Sequence, residues 1–170
     1  MRQCQPVTSD AIERHLEALG AGNHSDNLGV LRQFRYYCRL VLTEAEFFGL
    51  VFLQNAEVRS ISPTNSDRTL RAVAQRALAL RHSRLSLNWD IAAIRSTFRE
   101  LRELYPLMTT VRLPELLLRD ARGSEAAFGD WYLQDGSHRA LGYALELLDG
   151  RQTYVPQAAF IATGRPAEVF

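Results

Sequence analysis

Trp131-Tyr132-Leu133-Gln134-Asp135-Gly136-Ser137-His138-Arg139-Ala140-Leu141-Gly142-Tyr143-Ala144 is the stretch on which the reading of this chain turns. Trp131 to Gln134 has the aromatic and apolar character of a short strand, and Asp135-Gly136 is turn chemistry. From His138 to Leu148 the apolar residues Leu141, Leu145 and Leu148 fall on one helical face, and Gly150 stands where a helix C-cap belongs. A strand running through a glycine turn directly into a helix is predicted.

Outward from this junction the pattern continues. Downstream, Tyr154 to Ala162 reads as a strand, interrupted near its start by Pro156. Upstream, Glu115 to Arg119 contains Leu116-Leu117-Leu118, a short buried strand by its length and flanks. The polar segment from Arg122 to Asp130, with Gly123 and Gly129, reads as the loop that joins it to the Trp131 strand. Residues 105–163 therefore form a compact unit of strand, loop, strand, turn, helix and strand.

Residues 1–104 read as mainly helical. Ser9 can cap a helix carrying Ile12, Leu16 and Leu19, which Gly20 would end. Gly20 to Asn27 reads as a loop, and Leu28, Leu31, Phe34 and Cys38 continue at helical spacing as a second helix. The apolar run from Phe47 to Leu53 fits a buried strand or a buried helix equally. Glu57 to Ile61 alternates and stops at Pro63, as a short strand would. Asp67 can cap a helix through about Arg81, with Leu70, Val73, Ala77 and Leu80 inward. Asp90 starts another, with Ile91, Ile94, Phe98 and Leu101 as its stripe, closed by Pro106. The expected fold is α+β: one domain over residues 1–170, its helical N-terminal part (1–104) packed on a small mixed sheet.

Composition bounds the function. A chain of 170 residues buries roughly 70% of its unfolded surface and needs no metal or disulfide to hold a core. A formal net charge of +1 argues against a broad nucleic-acid or membrane surface, though not against one local basic site. All 20 basic residues are arginine. A biased genome explains this better than selection for anion binding, but the chemical consequence stands. No phosphate-loop lysine or Schiff base is available, so an anion must be held by arginine, histidine or backbone N–H groups. Cys4 and Cys38 form no C-x-x-C pair, so neither a disulfide framework nor a zinc site is expected. His15, His24 and His82 share no metal-ligand spacing. Met1 to Asp10 lacks the apolar core of a signal peptide, and no apolar run reaches membrane-spanning length, so the expected location is the cytoplasm. Arg68, Arg71, Arg76, Arg81 and Arg84 spread round a helix, unlike a nucleic-acid stripe. Arg68 and Arg71 lie close enough to a helix start to assist an anion site.

The turn itself carries the chemistry. Gly136 permits a left-handed backbone and close approach of a ligand. Ser137 can cap the helix or turn its hydroxyl outward. The first N–H groups of a helix lack internal partners and sit at the positive end of its dipole. His138 and Arg139 add two donors, and the sum is the physics of a phosphate site. Asp135 could hold a metal ion bridging phosphates or accept a proton from an alcohol; it could equally bond its own turn. Glu57, near Ser60, Ser62, Thr64 and Asn65, is a candidate carboxylate base or a solvated loop residue. The plain alternative for 135–139 is a structural turn, with Ser137 capping and Arg139 paired to Glu146 or solvated.

The run from Trp131 to Ala144, followed by Tyr154-Val155-Pro156, resembles the signature of the ParB/sulfiredoxin-like superfamily over about residues 105–163. Those proteins carry a strand, an acidic residue or glycine, a glycine, a variable residue, His or Arg, then Arg, and a helix opening with small and apolar residues. The resemblance implies that the helix from Ser137 holds nucleotide phosphates, with His138 and Arg139 as direct contacts. The superfamily includes CTP-binding chromosome-partition proteins, ATP-using sulfinic-acid reductases and free-serine kinases. Ser137 stands where the reductases have their catalytic cysteine, which argues against reduction. The partition proteins carry a DNA-binding helical domain after the motif, for which the residues following Gly150 offer little room. The kinases are nearest, through the Asp-Gly pair, and need a further carboxylate base from an upstream segment.

The expected activity is phosphotransfer from a nucleoside triphosphate or diphosphate to a small hydroxyl-bearing molecule. Gly136, Ser137, His138 and Arg139 would bind ATP or another nucleotide, and Asp135, His138 and Glu57 would carry the chemistry. Magnesium would arrive with the nucleotide, with no side-chain metal site of its own. A homodimer is compatible with the sequence. The alternative is a non-catalytic regulatory or partner-binding domain with a ParB-like fold.

Overall fold

In the computed structural model, residues 4–18, 24–53, 58, 68–79, 114–120 and 131–164 are described. In chain order the elements are β1 (Gln5–Pro6), α1 (Ser9–Ala18), α2 (His24–Leu31), β2 (Tyr36–Leu42), α3 (Glu44–Gly49), β3 (Val51–Phe52), α4 (Leu70–Ala79), β4 (Leu116–Asp120), β5 (Trp131–Asp135), α5 (Ser137–Leu148) and β6 (Gln157–Thr163). The expected α+β class is what the molecule has, a mixed six-stranded sheet in the order β1-β2-β6-β4-β5-β3 with helices on both faces.

β4, β5, α5 and β6 stand where the strand and helix signals place them. β4 runs antiparallel to β5 and parallel to β6, so α5 leads the chain across β4 from one of its neighbours to the other. α5 ends as Gly150 predicts. Gly150 adopts φ +69°, its N–H donates to the Leu147 carbonyl at 3.1 Å, and the Arg151 N–H donates to the Glu146 carbonyl at 3.0 Å.

The N-terminal part contributes more strand than its periodicity suggests, because β1, β2 and β3 all join the same sheet. The second helix ends at Leu31, and Cys38 lies in β2. Cys38, Leu40 and Leu42 alternate inward, and the whole of β2 pairs with β6 from Tyr36↔Thr163 to Leu42↔Gln157. Spacing from Phe34 to Cys38 fits a helix by coincidence, and a seven-residue ladder outweighs it. The Tyr37 hydroxyl marks the change, lying 2.9 Å from both the Leu31 and Phe34 carbonyl oxygens at the end of α2. The ambiguous run from Phe47 to Leu53 is both things in turn, α3 and then β3.

Caps fall a residue or two from their expected positions. Thr8, rather than Ser9, accepts the Ala11 N–H at 3.3 Å, and Thr69 accepts the Ala72 N–H at 3.3 Å at the start of α4. Asp67, Glu57 and the expected helix from Asp90 lie outside the described residues.

Among the described residues the two larger buried clusters lie on the two faces of the sheet. On one, α3, α4 and α5 cover the sheet, and Phe47, Leu70, Val73, Leu141, Tyr143 and Leu145 pack on Leu118, Leu133 and Ile161. On the other, Ile12 and Leu16 of α1 and Leu31 of α2 pack on Leu117, Phe160 and Ala162. Each large side chain so buried contributes about 1.5–3 kcal/mol relative to exposure.

One expectation is corrected outright. Cys4 and Cys38 are joined as a disulfide, with Cα atoms 5.7 Å apart. They lie 34 positions apart in sequence, so only the pairing of β1 with β2 brings them together. Among the described residues no helix is long and apolar enough to cross a membrane.

Candidate functional site

The junction of β5 and α5 is shaped by a defect in the ladder. Leu118 opposes Leu133, but the next pair is Leu117 with Asp135, so Gln134 is an extra residue in β5. Such a bulge bends the strand and re-aims the side chains beyond it. Gln134 is tied down from the opposite face, where its Nε2 donates to Oδ1 of Asn27 in α2 at 3.0 Å. Asn27 is buried, and the Gln134 Oε1 is enclosed without a hydrogen-bond partner.

Gly136 then turns the chain with φ +88°. A Cβ here would sit 2.6 Å from Leu116 Cδ2 and 3.1 Å from Arg139 Nη2. Both the backbone conformation and the space demand glycine. Gly136 is the N-cap of α5, no side chain caps the helix, and the Gly136 carbonyl accepts the Ala140 N–H at 2.8 Å. The helix itself therefore offers no acceptor to the N–H groups of Ser137, His138 and Arg139.

Arg139 folds back over the turn. Its Nη2 donates to Asp135 Oδ2 at 3.1 Å, and both side chains are about four-fifths buried, at 19% and 22% exposure. This pairing, one helical turn apart, replaces the alternative partner Glu146, which is buried farther along α5. The Arg139 Nε is enclosed with no hydrogen-bond partner. His138 is exposed at the rim and Ser137 half-exposed. The turn thus brings together Asp135, Gly136, Ser137, His138 and Arg139. Asp135 takes one hydrogen bond from a guanidinium with five donors. An anion arriving at the helix end would meet the positive end of the helix dipole and a first turn to which the helix itself supplies no acceptor.

The two assisting arginines are engaged elsewhere. Arg68 is buried with its guanidinium 6.0 Å from the centre of the Tyr132 ring, and Arg71 lies 4.2 Å from the centre of the Phe48 ring. Each stacks on an aromatic face that the fold supplies closer at hand. Among the described residues no group of three His, Cys, Asp or Glu side chains converges to hold a metal ion.

A second polar cluster escapes the sequence reading, on the α1 face of the sheet. Arg39 Nη2 donates to Glu115 Oε1 at 3.1 Å, His15 Nε2 lies 3.2 Å from the Glu115 carbonyl oxygen, and His15 Nδ1 is 3.7 Å from Glu115 Oε2. The His15 ring meets Phe160 edge-on at 5.2 Å. Burial pushes the Glu115 carboxyl up. Hydrogen bonds from its own N–H and from Arg39, with the nearby His15 and Arg39 charges, outweigh this and hold it below its usual value. His15 and Arg39 lie 100 and 76 positions from Glu115, so no local pattern could announce them. The cluster satisfies itself and fastens α1 to the sheet.

No family model, curated protein or solved structure matches this chain.

Proposed function

We propose that the Gly136–Arg139 turn binds the phosphates of a nucleotide, and that the protein transfers a phosphoryl group from a nucleoside triphosphate or diphosphate to a small hydroxyl-bearing molecule. The observation that carries this reading is the start of α5. A twelve-residue helix opens at a left-handed glycine with no side-chain cap, beside an arginine whose Nε is enclosed and unpartnered. The resemblance of Trp131 to Ala144 to ParB/sulfiredoxin-like signatures supports the same ligand class.

In this reading the N–H groups of Ser137 to Arg139 hold phosphate oxygens, and His138 adds a donor from the rim. Arg139 turns part of its fork to the phosphate and offsets the charge that develops as the phosphoryl group leaves. Asp135, released from Arg139 to that extent, accepts the proton of the attacking hydroxyl; Glu57 is the second carboxylate proposed for that role. Magnesium, were it to accompany the nucleotide, would be held mainly by the phosphates and would supply charge neutralisation there. Two or three charge-assisted contacts of roughly 1.5–3 kcal/mol each, less ordering costs of several kcal/mol, support phosphate binding of roughly millimolar strength.

One observation favours a second reading. The Asp135–Arg139 pair gives the arginine a partner without any ligand, which suits a non-catalytic regulatory or partner-binding domain whose motif only senses a nucleotide. Calorimetric titration with ATP, ADP and CTP, with and without magnesium, tests both. Saturable binding that is lost in Arg139→Ala supports the site, and turnover with a hydroxyl acceptor separates the enzyme from the sensor. No binding by folded wild type to any of the three defeats both readings.

A further inference from the structure

We propose that the Cys4–Cys38 disulfide is a reversible thiol–disulfide latch that holds β1 over the edge of β2. This rests on the N-terminal edge of the sheet and is independent of the reading of the Gly136 turn.

β1 has little else to hold it. It pairs with β2 only at Gln5↔Arg39 and Pro6↔Cys38, and Pro6 has no N–H to give. The next tie is the Val7 N–H to the Tyr37 carbonyl at 3.1 Å. That bond places the backbone groups of Tyr37 on the β1 side of β2, and strand alternation places those of Arg39 there too. Their neighbours Cys38, Leu40 and Leu42 turn the opposite way, toward β6. Cys4 precedes β1 and reaches Cys38 diagonally across the pair. The Cα separation of 5.7 Å lies within the range that a disulfide spans without moving the backbone.

The two sulfurs differ in access. Cys38 is buried at 1% exposure within the main core, whereas Cys4 is partly exposed at its margin. A low-molecular-weight thiol therefore attacks the sulfur of Cys4. The Cys4–Cys38 bond breaks, Cys38 leaves as a thiolate and takes up a proton, and Cys4 is left in a mixed disulfide. A second small thiol attacks that mixed disulfide, releasing Cys4 as a thiol and the two small thiols as their disulfide. Oxidation runs the same exchange backward with a small disulfide as oxidant.

Opening has a natural limit. α1 begins at Ser9 and is anchored by Ile12 and Leu16, fully buried against the other face of the sheet. β2 stays in place through its ladder to β6. Reduction thus leaves Cys4 to about Val7 held only by its few backbone bonds and the partial packing of Val7 on the α1 face, and uncovers the Tyr37–Arg39 stretch of β2 as an open edge.

Hydrogen exchange read by mass spectrometry tests this on the full chain, equilibrated with glutathione disulfide or with dithiothreitol. Reduction should speed exchange at Tyr37 and Arg39 by tenfold or more, with the amides of α5 unchanged. Cys4→Ser should match reduced wild type under both conditions. Two titratable thiols remaining after glutathione disulfide, or unchanged exchange at Tyr37 and Arg39, would overturn the latch. Equal acceleration in α5 would also overturn it, since the bond would then stabilise the whole fold rather than gate one edge. Reduced wild type carries the test should the serine variant fail to fold.

Discussion

The helices α3 and α5 begin in opposite ways. α3 has six residues and closes its own N-terminus: the Glu46 N–H donates to the Thr43 hydroxyl oxygen at 3.4 Å, and the Thr43 N–H donates to the Glu46 carboxylate at 2.8 Å. α5 has twelve residues and begins at Gly136 with no side-chain cap. A helix of six residues makes too few internal hydrogen bonds to survive an uncapped end. α5 can spare its cap, because every residue from Ala140 to Glu146 is buried and packing supplies the stability. A helix can begin without a side-chain cap where the packing of its buried face carries the cost.

The strongest way to break this contrast is to close the space at Gly136. Gly136→Ala adds left-handed strain of about 1–2 kcal/mol and overpacking against Leu116 of about 1–3 kcal/mol. Urea unfolding should therefore show a loss of roughly 2–5 kcal/mol, with nucleotide binding abolished. Arg139→Ala should weaken nucleotide binding by roughly ten- to a hundredfold, the value of one charge-assisted contact, while the midpoint of unfolding moves less than for Gly136→Ala. Thr43→Ala acts on the closed end alone. It should cost about 1 kcal/mol in stability and leave nucleotide titrations unchanged.

Ser137→Glu sharpens the comparison by its sign. A carboxylate in the first turn of α5 should raise stability by about 0.3–1 kcal/mol through the helix dipole and weaken phosphate binding by competition. A rise in both stability and affinity would contradict the site. Glu115 provides a control away from both helix ends. Its folded pKa is held below the unfolded value. Its stabilising effect is therefore present above the unfolded value and is lost as pH falls through the folded one. Thermal unfolding followed from pH 6 to pH 3 should decline more steeply for wild type than for Glu115→Gln, by a margin smaller than any effect above.

Much of the fold was legible because it is local. Gly136 and Gly150 bracket an apolar period, and Leu116 to Leu118 form one short apolar run, whereas the capping box of Thr43 and Glu46, although local, escapes the sequence reading in a stretch where the periodicity blurs. The constellation at residues 135–139 could be named because all five residues are adjacent and the helix start supplies its own geometry. The pairing of Arg139 with Asp135 rather than Glu146 could not be named. Both carboxylates are within a few turns, and only the left-handed turn at Gly136 decides which one the guanidinium meets.

The sequence by itself determined the helix and strand periods of the C-terminal unit, the α+β class, the absence of lysine chemistry and the glycine turn. Each of these depends on residues a few positions apart, where covalent geometry limits the choices. Only the tertiary structure decided that β2 is a strand, that Cys4 meets Cys38, that Asn27 holds the bulge at Gln134, and that His15 and Arg39 share Glu115. The disulfide and side-chain contacts join residues 34 to 107 positions apart, and the β2 ladder reaches farther still, from Tyr36 to Thr163. Their formation depends on which strands pair and which faces are covered, and no spacing along the chain encodes that.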